Sequence, residues 1–130
     1  MRDAVENAPS GTPPGTKIVF DVSGTIHTTS WLHVLKPYIT VAGETAPGAG
    51  ITIDGSACDG TATLQVNGHD IIVRHLRIRH NGVPENREIV QVDGDYNLVF
   101  DHLSLSDGFD GGLDINYKKR GVRYNVDIVV

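Results

Sequence analysis

Short apolar runs that end in glycine recur along this chain, and their spacing constrains the fold more than any other feature. The runs occupy 18–24, 39–43, 51–55, 64–68 and 89–94, and Gly43, Gly55, Gly68 and Gly94 are 12, 13 and 26 residues apart. Alternation of apolar and polar residues closed by a glycine marks a strand running into a turn. A longer self-match sets the period. Val66-Asn67-Gly68 leads into Ile71, Val73, His75 and Leu76, and Val92-Asp93-Gly94 leads into Leu98, Phe100, His102 and Leu103. Val66 therefore maps onto Val92 at 26 residues, and His75 onto His102 at 27. A strand-built repeat of this length predicts a solenoid, since a propeller blade needs about 40 residues.

Two or three short strands per unit and no helical periodicity specify an all-β fold, a parallel β-helix. At this period the 130 residues make about four to five coils, an incomplete helix of coils. A short helix is expected over 2–7, ahead of the Pro- and Gly-rich breaker at 9–15. The chain divides into an N-terminal capping segment (1–16), the coils (17–116) and a C-terminal tail (117–130) that departs from the pattern. An uncovered last coil is expected to self-associate, because its strand edge is unpaired.

Composition narrows the function. Eleven Lys and Arg against 16 Asp and Glu give a net charge of −5, which repels the phosphates of a nucleic acid. The single cysteine, Cys58, excludes an internal disulfide and a cysteine-built zinc cage. No apolar stretch approaches the length of a membrane span. The first residues are polar and acidic, without the apolar core of a secretory signal.

The acids of the second half carry the chemistry. Glu88 and Asp114 are one period apart, which predicts that they stack at the interstrand spacing of about 4.8 Å. Two carboxylates so placed repel unless a cation lies between them. Asp110 shares a strand face with Asp114, and a bend at Gly111-Gly112 would bring the two together. Oxygen-rich acidic ligands without cysteine or clustered histidine suit a hard cation, Ca²⁺ above all. The plainer reading is that these acids are solvated turn residues. Arg74, Arg77 and Arg79 are expected to form ion pairs on the outside of the coils. His75 and His102 are expected to belong to a structural ladder, and Cys58 to a turn. Ser104 and Ser106 lack the glycines of a nucleophile elbow.

The stretches 43–51, 71–79, 97–104 and 110–114 together resemble the pectate lyase family, polysaccharide lyase family 1. The similarity runs in order over roughly 2–116 and includes Asp101-His102 and Asp110-Gly111-Gly112-Leu113-Asp114. The resemblance implies a right-handed parallel β-helix that cleaves α-1,4-polygalacturonate (pectin) by β-elimination with Ca²⁺. It implies that Glu88, Asp110 and Asp114 are calcium ligands, and that Asn86 stands where some members carry a further acid. It implies a secreted protein, here shortened at both ends. In the family the base is an arginine several tens of residues beyond the calcium acids. None of Lys118, Lys119, Arg120 and Arg123 falls at its position, so no catalytic residue is nominated. The competing expectation is a non-catalytic carbohydrate-binding or structural β-helix. A β-helical polygalacturonase is disfavoured, because the chain has no Gly-His-Gly.

Overall fold

The computed structural model of the protein describes residues 1–9, 12–80, 88–93, 96–116 and the strand at 126–129. A five-residue helix, α1 (Arg2–Glu6), precedes thirteen strands among the described residues. They are β1 (Thr16–Ile18), β2 (Gly24–His27), β3 (Leu32–Val34), β4 (Ile39–Ala42), β5 (Ile51–Asp54), β6 (Ala62–Val66) and β7 (Ile71–Arg74). Then follow β8 (Leu76–Arg79), β9 (Glu88–Val92), β10 (Leu98–Asp101), β11 (Ser104–Ser106), β12 (Gly111–Ile115) and β13 (Val126–Val129). Successive strands pass to successive sheets. The first sheet stacks β1-β4-β7-β10-β13, the second β2-β5-β8-β11 and the third β3-β6-β9-β12. All neighbours are parallel, so the fold is the parallel β-helix expected from the repeat.

Alternation along each strand sends every second side chain inward, and parallel register places like upon like. Ile39, Ile71 and Leu98 stack in the first sheet, with Val41, Val73 and Phe100 beside them. Ile53 meets Ile78 in the second sheet, and Val34, Val66 and Val92 line up in the third. All of these side chains are buried. The 26-residue match of Val66 to Val92 is thus a true register pair. A buried polar pair lies outside these stacks: Thr63 Oγ1 and the Nδ1 of His80 are 2.8 Å apart and hydrogen-bonded.

Helix α1 lies over β3, burying Val5, with Ala8 buried just beyond it. The Arg2 guanidinium fixes it there, donating to the carbonyls of Ser30 and Trp31 (2.7 Å each), to Thr28 Oγ1 (2.8 Å) and to Glu6 (2.8 Å). No described helix is long and apolar enough to cross a membrane.

The corners repeat as well as the strands. Tyr38, Asp70 and Asn97 each precede a strand of the first sheet by one residue, and all three have left-handed backbone (φ 60, 54 and 53°). Asn97 Nδ2 donates to Asp70 Oδ1 (3.0 Å), and the ring of His69 stacks on Tyr96 at 4.7 Å between centroids. His69 Nδ1 donates to Asp70 Oδ2 at 2.7 Å. The His69 bond, then the Asn97 bond, hold the Asp70 carboxyl below its ordinary value of 3.8.

Two outcomes follow from this packing. Ile78→Ala empties a fully buried site between coils and lowers stability by about 2–5 kcal/mol. Val22→Ala, at a residue 67% exposed, changes it by less than about 0.5 kcal/mol; urea midpoints read both. A depressed carboxyl contributes stability that is complete above the ordinary value of 3.8 and is lost as pH falls through the lower native value. Asp70→Asn keeps the left-handed turn. It flattens the fall in stability below about pH 4, measured as urea midpoints against pH.

Candidate functional site

The third sheet carries a polar row of half-buried and buried side chains because the outward positions of four of its strands fall in register. His33 pairs with Gln65, Gln65 with Gln91, and Gln91 with Asp114. Gln65 Nε2 and Gln91 Nε2 both donate to Asp93 Oδ2, at 2.8 and 3.1 Å. Thr61 Oγ1 donates to Gln91 Oε1 at 3.0 Å, and Asn116 Nδ2 to Asp114 Oδ2 at 2.8 Å. The row is a strip of amides and carboxylates held by mutual hydrogen bonds, and Asp114 closes it at the last described coil of this sheet.

The acids take places the repeat did not foretell. Glu88 is in register with Gly111, and Asp114 with Gln91, so Glu88 does not stack on Asp114. The cause is corner length. Eight residues (80–87) separate β8 from β9, but four (107–110) separate β11 from β12, so this coil measures 23 residues at the third sheet instead of 26. The tight corner depends on Gly108, where an added Cβ would lie 2.5 Å from the Gly111 carbonyl oxygen. Its consequence is a different pairing. Asp110, the residue before β12, adjoins Gly111, the register partner of Glu88, which leaves the two Cα atoms about 6 Å apart; alternation gives Asp110 the face of Asp114 and Glu88 the face of Val90. Asp114 lies about 11 Å from Glu88 on the same reckoning. Nor does the chain bend at Gly111-Gly112. Both belong to the extended strand β12, which keeps Asp110 and Asp114 about 13 Å apart. Asp110 is exposed, while Glu88 and Asp114 are half-buried. Asn86 and the basic residues Lys118, Lys119, Arg120 and Arg123 lie outside the described residues.

The arginines divide. Arg74 forms the expected ion pair, with Glu44, which also lies 3.8 Å from Lys17. Arg77 instead donates through Nε to Thr52 Oγ1 (2.9 Å), and Arg79 donates to the carbonyl and hydroxyl of Ser104 (2.7 and 3.0 Å). Arg77 lines a cleft of about 320 Å³ at the corner between the first and second sheets, together with Glu44, Gly50, His75, His102 and Ser104.

That corner holds a grouping the repeat showed only in part. His75 and His102 stack as the 27-residue match implied, with ring centroids 4.6 Å apart and planes at 19°. Asp101 joins them through a hydrogen bond to His102 Nδ1. Asp101 was visible as the neighbour of His102. Its relation to His75 requires the register of β7 with β10, which sets Asp101 opposite Arg74.

Comparison with known proteins gives a consistent result. The chain is 37% identical over 117 residues to a protein of Aspergillus flavus named probable pectate lyase C, and equally to one of Aspergillus oryzae with the same name. Each match covers 89% of this chain and 25% of the relative. A probable pectate lyase C of Emericella nidulans is 35% identical over 100 residues, 76% of this chain and 22% of its own. The chain thus spans about a quarter of the length of these relatives. No family model matches, and no solved structure does.

Proposed function

The chain belongs to the pectate lyase family, and on that premise we propose that it binds Ca²⁺ with Glu88 and Asp110 and thereby holds the carboxylates of a polygalacturonate chain. What supports this reading is the shortened corner at 107–110, which sets Asp110 next to Gly111, the register partner of Glu88. The donor set fits the ion. Two carboxylates, one of them exposed, offer only hard oxygen atoms, and calcium fills its remaining positions with water or with ligand oxygens. Asp114, farther along β12, is a second acidic contact on the same strip, oriented by Asn116.

The chain's own residues supply the rest of the binding surface. The amides of Gln65 and Gln91, both bonded to Asp93, line up with Asp114 along the coil axis and stiffen the strip beside it. The net charge of −5 opposes a polyuronate, so the acidic pair is useful only with a cation between protein and polymer. When bound, calcium would withdraw charge from a uronate carboxylate and make the neighbouring C5 proton more acidic. Removal of that proton needs a base. In the family the base is an arginine, and none of Lys118, Lys119, Arg120 and Arg123 matches its position. These 130 residues are therefore expected to bind without turnover. A secreted protein acting on pectin outside the cell accords with this reading.

Calorimetry with trigalacturonate tests it. Binding should be saturable in millimolar Ca²⁺ and absent after EDTA treatment. Glu88→Ala and Asp110→Asn should each weaken it at least about tenfold, equivalent to about 1.4 kcal/mol. No ultraviolet-absorbing unsaturated product should accumulate. Equal affinity with and without Ca²⁺, or wild-type binding by Asp110→Asn, would overturn the assignment.

A further inference from the structure

The corner between the first and second sheets carries three side chains that the proposed calcium site does not use. One ligand-type atom from each of His75, Asp101 and His102 lies within 4.8 Å of the others. Among the described residues this is the one group of three or more histidine, cysteine, aspartate or glutamate side chains that converges so closely. We infer that His75, Asp101 and His102 form a binding site for a borderline divalent cation of the zinc class, separate from the acidic pair on the third sheet.

Four observations support this. First, the donor set is two imidazoles and one carboxylate. Imidazole nitrogen favours zinc, nickel or copper, whereas calcium and magnesium favour all-oxygen sets. Second, side-chain rotation alone can bring the spacing to what an ion needs. Two ligands on one tetrahedral zinc ion stand about 3.4 Å apart at a bond length of about 2.1 Å. The group must therefore contract from within 4.8 Å by up to about 1.4 Å, and its side chains have room to turn, since His102 is 56% exposed. Third, the backbone holds both histidines in the same attitude. Each has left-handed geometry (φ 54 and 51°) directly after a strand of the first sheet, and His75 N–H donates to the Asp101 carbonyl at 3.0 Å. Fourth, the competing cation is occupied. Arg74, opposite Asp101 in register, is paired with Glu44, so the Asp101 carboxylate is left to His102.

The site has an open side. His75 and His102 line the 320 Å³ cleft that also contains Glu44 and Ser104, so an ion held by three protein ligands would keep positions free for water or a ligand oxygen. The full width of the second sheet separates it from Glu88 and Asp110, because Leu76–Arg79 and Ser104–Ser106 intervene.

Titration of the 130-residue protein with zinc chloride, in buffer already containing millimolar calcium, tests the assignment. One zinc ion should bind per chain. His75→Asn and His102→Asn, which keep a residue tolerant of left-handed backbone, should each weaken binding at least about tenfold. Asp110→Asn should leave it unchanged, which separates this site from the calcium reading. No zinc binding, unchanged affinity in both histidine variants, or loss in Asp110→Asn would overturn it. A second readout needs no substitution. Zinc should shift the imidazole carbon-proton resonances of His75 and His102 in the wild-type protein and spare those of exposed His27; shifts confined to other histidines would equally overturn it.

Discussion

Everything in this molecule rests on the stacking of like aliphatic side chains from one coil to the next. A coil of three short strands has too little interior to bury its own apolar face. Only when Val34 meets Val66 and Val92, or Ile39 meets Ile71 and Leu98, does a continuous core form. Parallel pairing enforces this, since a slip of one residue would turn every inward side chain to solvent. The strands can therefore tolerate little change in register. The corners, which pack on only part of this core, are free to differ in length.

That contrast explains what was legible in the sequence. Inward positions repeat because each must fill the same space, so period-2 alternation and the 26-residue match gave the fold and several true register pairs. His75 and His102 were matched correctly for the same reason: both follow the same strand of consecutive coils. Glu88 and Asp114 were not, because their separation crosses the shortened corner at 107–110, and a uniform period carries no information about corner length. The approach of Asp101 to the two histidines is a tertiary fact set by register. The hydroxyl partners of Arg77 and Arg79 were equally invisible, since they come from neighbouring coils.

The electrostatic layout divides along the same lines. The third sheet gathers acids and amides with no described arginine or lysine in its outward row, while the second sheet presents Arg77 and Arg79. A solenoid makes such segregation simple. A given outward position belongs to one sheet in every coil, so substitutions there accumulate along a line instead of scattering over a globular surface. The acids of the third sheet and the histidine group thus occupy separate lines on one scaffold.

Gly43 shows how such a line ends. It is the coil-equivalent of His75, one strand earlier in the first sheet, and an added Cβ would lie 2.1 Å from the His75 carbonyl oxygen. Backbone cannot yield as a flexible side chain can, so a histidine at 43 would prise the two coils apart. The imidazole column consequently has a terminus written into the main chain. Tandem duplication of a coil would lengthen the core without hindrance, yet could extend this column only toward the C-terminal side. In a fold built by repetition, one missing carbon supplies polarity.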